Sequence, residues 1–346
     1  MFTVGLDVHF DKSSLCVLDA NGKVVREQQV RGHWDQVVQE LGKLKEPFRI
    51  CYEASIGYGY LFENIGKLPR ARQVLVAHPG DLRMIFKAKK KNDRVDARKL
   101  ATILYLDQVP QVHVPRQEVR SWRAMIQWRR KLVASRASIK NQLRALLKTF
   151  GIAPWKGKKL WSRPGIAWMQ EQALPTISDQ LRREMLIEEL KEAGRRIKLV
   201  EEKLGEIAEQ HPGVKLLMTI PGVGQRTAEA FVAYVDDPAR FGNIRQAGAY
   251  FGLVPCQDAS AHMNRLGHIT KDGPSAVRQL LVEASWQGIL RSGRIKAHYQ
   301  QIVDKKPERR KIALVATARW LSTVMLSMLK SGQCWREEEQ TIIKPA

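Results

Sequence analysis

Acidic residues are scarce in this chain. Thirty-five aspartates and glutamates stand against 58 lysines and arginines, a formal excess of +23 over 346 residues. A surface so short of negative charge repels itself until a polyanion neutralises it. Phosphate neutralisation releases counterions, so nucleic acid is the expected partner. The cations are spread along the chain rather than gathered on one amphipathic helix, which disfavours a membrane surface. Cysteine is sparse too. Cys16, Cys51, Cys256 and Cys334 form no C-x-x-C pair, which excludes zinc ribbons and disulfide scaffolds and suits reduced thiols in a cytoplasmic, nucleoid-associated protein. The segment Met1 to Asp7 lacks a basic region and meets a charge at once, so no signal peptide is expected. The most apolar run, Ile312 to Leu329, is broken by Arg319 and is read as a core helix before a membrane span.

What is present falls into an α/β part followed by a mainly α part. Short apolar runs read as strands at Thr3–Val8, Leu15–Asp19, Arg49–Glu53 and Gln73–Val76. Asn21-Gly22 marks a hairpin turn. Helical spacing at Trp34–Leu44 and Tyr60–Leu68 alternates with these strands, the pattern of a mainly parallel sheet covered on both faces. Gln117 to Lys148 then reads as one long helix rich in cations, among them Arg123, Arg129, Arg130, Arg136 and Lys140, with Glu118 as its one acid. With so little acid for i,i+4 pairing, the helix is expected to face nucleic acid. Gly151 to Pro175 reads as an irregular linker. Leu186, Leu190, Ala193, Ile197, Val200, Leu204 and Ile207 alternate spacings of four and three, a seam that serves either a coiled coil or an intramolecular helical hairpin. From Val214 to Leu329 the chain reads as mostly helical, and after Gly332 as a frayed tail. The expected domains are 1–155, a linker over 156–180, a coiled coil over 181–211, 212–332, and a tail over 333–346.

Three groups of residues carry chemistry. Asp7 and Glu53 end predicted strands, and Asp93 and Asp96 open a predicted helix at i and i+3, on one face of a turn. Hard divalent cations such as Mg²⁺ take several oxygen ligands, and four converging carboxylates could hold two ions for phosphoryl transfer. Each alone has a plainer role, as turn residue or helix cap. Lys89, Lys90 and Lys91, just before Asp93, suit a nucleic-acid backbone or a solvated loop. The second group is Ile220-Pro221-Gly222-Val223-Gly224 before a helical run, the helix-hairpin-helix pattern in which Gly222 and Gly224 bring backbone N–H groups to phosphate, or else a structural turn. The third surrounds Ser260 with Arg265, Lys271 and Arg278. On composition alone Ser260 is a loop serine, because a hydroxyl needs activation to attack phosphate.

Together these pieces resemble a known family. Gly5–Lys12 (G-L-D-V-H-F-D-K), Tyr52–Ser55 (Y-E-A-S), Asp93–Ala101 (D-R-V-D-A-R-K-L-A), Ile220–Ala228, Ala247–Pro255 and Arg265–Gly273 match, nearly end to end, the transposases of insertion-sequence family 110 with its 1111 subgroup, also called bridge recombinases. The resemblance implies an RNase H-like (RuvC-like) domain with a D-E-D-D tetrad at Asp7, Glu53, Asp93 and Asp96, holding Mg²⁺. It implies a C-terminal helical transposase domain whose serine, Ser260 here, forms a phosphoserine link to DNA. It further implies a guide non-coding RNA, DNA partners at the element ends and target, and a homo-oligomer. Family members often carry glycine after that serine. Here Ala261 and His262 follow, so Thr270 and Ser275 stay as alternatives, and His262 and His268 as possible proton carriers. The rival readings are a water-using metal nuclease or Holliday-junction resolvase, a sugar- or acetate-kinase-like enzyme, and a non-catalytic nucleic-acid-binding protein.

Overall fold

Alternation along the first strand decides the layering of the N-terminal unit. In a computed structural model describing residues 1–85, 93–260 and 263–337, with only the backbone at 259–260 and 263–264, the chain divides into two compact units, Met1–Gln117 and Glu118–Ala346. Strand β1 (Phe2–Asp7) is followed by β2 (Lys12–Leu18), β3 (Val24–Arg31), α1 (Trp34–Gly42), β4 (Phe48–Glu53), α2 (Tyr58–Gly66), β5 (Ala71–Ala77), α3 (Pro79–Ile85) and α4 (Asp93–Tyr105). The sheet order is β3-β2-β1-β4-β5. β1, β4 and β5 run parallel, while β2 and β3 run antiparallel. The sheet is therefore mixed rather than mainly parallel. Its antiparallel half comes from two tight turns, one after Asp7 and one in which Asp19 Oδ1 accepts from the Asn21 and Lys23 amides at 2.8 and 2.9 Å.

Side chains alternate faces along a strand. Val4 and Leu6 of β1, with Ile50 and Tyr52 of β4, join Val37, Leu41, Leu61 and Ile65 of α1 and α2 in one core. The intervening residues face α4: Cys51 packs with Leu100 and Leu104, and Cys16 with Ala97 and Ala101. Gly5 shares that face, and a Cβ there would overlap the carbonyl of Ala97 and the amide of Ala101. By the same alternation Asp7 and Glu53, two residues beyond Gly5 and Cys51, lie on the α4 side.

In the second unit, α5 (Gln117–Thr149), α6 (Arg163–Glu171) and α7 (Ile177–Gln210) precede α8 (Pro212–Leu217), α9 (Gln225–Val235) and α10 (Gln246–Tyr250). Then come β6 (Pro255–Ser260), β7 (Met263–Ile269), α11 (Ser275–Arg291), α12 (Gly293–Val303) and α13 (Arg310–Ser331). The apolar seam of α7 is buried within the same chain. Leu186, Leu190 and Ala193 cluster with Ile139, Leu143 and Leu147 of α5, while Ile197, Val200 and Leu204 cluster with its Trp122, Ile126 and Leu132. Ile207, the last seam residue, is exposed. The intramolecular pairing of α5 with α7 thus accounts for the heptad spacing.

From Val214 onward the unit is mostly helical as expected, with β6 and β7 paired antiparallel as a hairpin between α10 and α11. Two expectations are corrected. The stretch Gly151 to Pro175 is not irregular throughout, since Arg163–Glu171 forms α6 and sets Met169 in a core with Leu143 and Leu186. The tail after Gly332 is docked as far as it is described: the Trp335 amide donates to Thr219 Oγ1 at 3.1 Å, and Ser292 Oγ donates to Glu337 at 2.9 Å. The segment Pro307–Ser331 is apolar and long enough to cross a membrane by composition, but Ala318, Leu321, Met325 and Leu326 of α13 lie in the core of the unit.

Gly5→Ala should push α4 off the sheet and lower the unfolding free energy by about 1–3 kcal/mol or more, the usual cost of overpacking. Urea unfolding of the two proteins measures it; an unchanged midpoint would show that α4 yields without cost.

Candidate active site

The contact at Gly5 fixes where the acids meet. On α4, Asp93, Ala97 and Ala101 form one i,i+4 stripe. Ala97 sits over Gly5, Asp93 is four residues earlier in the helix, and Asp7 is two residues later in the strand. Four helical residues advance about 6 Å and two strand residues about 6.7 Å, so Asp93 and Asp7 arrive together at the carboxyl end of β1. Glu53 ends the neighbouring parallel strand, in register just past the Leu6–Tyr52 pair. Asp96 lies in the same first turn of α4 as Asp93.

A histidine completes the cluster. Ligand atoms of Asp7, His9 and Asp93 all lie within 4.8 Å of one another. His9 Nε2 is 3.4 Å from Asp7 Oδ2 and 4.0 Å from Asp93 Oδ1. The turn that presents His9 is tied by Ser13, whose hydroxyl donates to the His9 carbonyl at 3.2 Å. Burial pushes the Asp7 carboxyl above its ordinary pKa; His9 opposes this, while Asp93 and Asp96 push it further up. Asp7 Oδ2 is buried and has no hydrogen bond among the described residues. Lys99 Nζ is 2.8 Å from Asp96 Oδ1. A buried carboxylate oxygen, a second carboxylate and an imidazole in one cluster suit a divalent cation. Glu53 and Asp96 are near by register and by charge but lie outside the three-residue cluster. His9 was not singled out from the sequence. The signal was there in Asp7-Val8-His9, since a residue two beyond a strand-end carboxylate returns to the same side.

The other expected site residues divide. Arg123 donates to the last carbonyls of α9, Ala233 and Tyr234, at 2.7 and 3.1 Å. Arg129 Nε donates to Glu201 of α7 at 2.7 Å. These two make contacts within the fold and are half-buried. Their partners come from other helices, so acid scarcity within α5 did not reveal them. Arg130 donates to Ser275 Oγ at 2.9 Å. Arg136 and Lys140, farther along α5, have no ion pair among the described residues. Lys89, Lys90 and Lys91 lie outside the described residues, as do Ala261 and His262. Gly224 caps the N-terminus of α9, whereas Gly222 (φ 94°) lies against the backbone of Gly288 in α11. Ser260 ends β6, opposite Met263, at the tip of the hairpin and not in an open loop. Arg265 stands across from Asp258 on the same hairpin, and Lys271 follows it in a left-handed conformation (φ 59°).

Carboxylates gathered at the carboxyl edge of a mixed sheet, in a chain this basic, are the pattern of enzymes that act on phosphodiesters. Residues 4–152 match the family model described as a transposase of the DEDD type of IS110. Residues 214–300 match the one described as the transposase IS116/IS110/IS902 family. The chain is 27% identical, over 96% of its length and 91% of the relative's, to the transposase for insertion sequence element IS1111A of Coxiella burnetii. It is 27% identical to a putative transposase of Sinorhizobium fredii, over 82% of this chain and 70% of that one. It is 29% identical to the transposase for insertion sequence element IS1328 of Yersinia enterocolitica, over 69% and 70%. The chain belongs to the IS110/IS116/IS902 family of insertion-sequence transposases, and is a DNA transposase by that membership.

One buried acid beside the α8–α9 turn gives a pH signature. Glu229 is 1% exposed and accepts from Arg226 Nη1 at 2.9 Å. Burial raises its pKa from 4.5 to about 7, against the opposing charge of Arg226. A carboxyl raised on folding favours the folded state below its unfolded pKa and loses that contribution as pH climbs through the folded value. Wild-type stability should therefore fall between pH 4.5 and about 7 by on the order of 1–3 kcal/mol relative to Glu229→Gln. Chemical unfolding of both proteins across that range tests it; parallel curves would show that the Arg226 pair keeps Glu229 ionised throughout.

Proposed function

We propose that this transposase cuts and rejoins DNA with an acidic metal centre in its first unit and a serine nucleophile in its second. The observation that carries the proposal is the convergence of Asp7, His9 and Asp93, whose ligand atoms lie within 4.8 Å of one another around a buried Asp7 oxygen. Asp7, Glu53, Asp93 and Asp96 would hold Mg²⁺, two ions in the full arrangement, with His9 as an additional nitrogen donor. Bound there, the ions supply Lewis-acid stabilisation of charge developing on the phosphoryl oxygens. The first unit is read as RNase H-like: its sheet order and mixed strand directions support that assignment. The turn between α8 and α9 is read as a helix-hairpin-helix that meets phosphate through backbone N–H groups at the Gly224 cap.

In the reaction the Ser260 hydroxyl attacks the scissile phosphorus. A serine O–P bond forms, the P–O3′ bond breaks, and the hydroxyl proton ends on the departing 3′ oxygen. A 3′-hydroxyl from the second DNA then attacks the phosphoserine, which restores Ser260 and joins the strands without net hydrolysis. The family resemblance supports selection of both DNAs by a guide RNA, and action as an oligomer. The +23 charge suits both nucleic acids.

Wild-type protein with Mg²⁺, co-purified RNA and labelled element-end DNA should give a denaturant-resistant protein–DNA adduct. Ser260→Ala and Asp7→Asn should each abolish it while DNA binding is retained. Cleavage without an adduct would point instead to a water-using nuclease, and adduct formation surviving Ser260→Ala would move the nucleophile to Thr270 or Ser275. Metal binding can be measured apart from catalysis. Mn²⁺ titrated into the DNA-free protein should bind with a calorimetric signal that Asp7→Asn removes and His9→Ala weakens; identical titrations of all three proteins would place the ion elsewhere.

A further inference from the structure

The second unit contains a cavity of about 990 Å³ where α5 ends and α6 begins. Its walls include three indoles, Trp155, Trp161 and Trp168. The rings of Trp155 and Trp168 lie 5.5 Å apart between centroids, tilted by 48°. Trp161 carries two cations, with Lys140 Nζ and Arg144 Cζ each 5.1 Å from its centroid. Arg144, Lys148, Lys158 and Lys159 also line the cavity, and no carboxylate among the described residues does. The Lys140 amine is held below its ordinary pKa, first by burial and then by Arg136 and Arg144.

The walls are fixed from behind. Trp161 and Trp168 pack on the core formed by Leu143 and Leu147 of α5 with Leu186 and Leu190 of α7. Gly157 lies flat on Trp155, so that any side chain there would overlap the indole. An aromatic wall held in this way is pre-organised for stacking. Its composition also narrows the ligand. A phosphate alone has no use for three indoles, and an apolar ligand has none for four cations. A nucleotide offers both a planar base and an anion, and the cavity has the size of ordinary small-ligand sites.

We propose that this cavity takes an unpaired nucleotide of a nucleic-acid strand, with the base stacked among Trp155, Trp161 and Trp168 and its phosphates held by Arg144, Lys148 and Lys159. Because every base has a π-face, the site reads the presence of an unpaired base and not its identity. It assigns the far half of α5, which has cations but few acids to pair with, to gripping a single-stranded segment. The site does not depend on the carboxylate centre.

The experiment is binding of the full chain, without divalent metal, to short labelled single strands of one sequence as RNA and as DNA, each with a counterpart in which consecutive nucleotides are abasic. Trp155→Ala should weaken an intact strand about tenfold or more, the size of one lost base–aromatic stack, and leave the abasic strands unchanged. Trp155→Phe should recover most of the loss. The sugar whose intact strand shows the loss, or both if both do, identifies the source of the nucleotide. Equal loss on intact and abasic strands, or no loss on any, would overturn the proposal. Photo-crosslinking of wild-type protein to 5-iodouracil-containing RNA and DNA supplies a reading free of any folding defect. Adducts on the tryptophans of residues 155–168 support the site, and adducts confined to other peptides refute it.

Discussion

The close approach of α4 to β1 at Gly5 governs the first unit. Nothing larger than hydrogen fits between the strand and the backbone of Ala97 and Ala101, so the helix settles nearer the sheet than ordinary side chains allow. That depth sets the height of Asp93 above Asp7, and the matching advance of strand and helix sets their alignment. The apolar pairs on either side, Cys16 with Ala97 and Cys51 with Leu100, hold the helix in register. The chemistry proposed for the centre is a consequence of this packing.

The second unit rests on another pairing, that of α5 with α7, and here the basic helix divides into two halves with different tasks. Near its start, Arg123 and Arg129 are turned inward to α9 carbonyls and to Glu201. Towards its end, Lys140 and Arg144 lie over the Trp161 ring, with Arg136 close enough to Lys140 to repel its charge. Charge on one helix thus joins the fold's hydrogen bonds at one end and, for Arg136 and Lys140, has no ion pair among the described residues at the other.

Much of the first unit was legible because its signals are local. Strand alternation, the Asn21-Gly22 turn and the i,i+3 spacing of Asp93 and Asp96 each declare themselves within a few residues. His9 was missed although it alternates with Asp7, because its position depends as well on the turn tied by Ser13. The partners of Arg123 and Arg129 lie 72 or more residues away in sequence, and no helix-local rule could find them. The heptad seam of α7 was legible as a seam, but a heptad repeat does not state whose helix covers it. The β6–β7 hairpin was hidden for a different reason: Pro255 to Ile269 has few β-branched residues and no clean apolar alternation, so propensity gives strand pairing little support. The docked tail likewise depends on Glu337 meeting Ser292, across 45 positions.

The first turn of α4 has one more effect. Backbone N–H groups at a helix start have no partner within the helix, and the aligned peptide dipoles leave a partial positive charge there. Asp93 and Asp96 stand in that turn, so the helix itself offsets part of the repulsion that they and Asp7 exert on one another. Asp7, Asp93 and Asp96 can therefore stand close together in the folded protein with no cation between them.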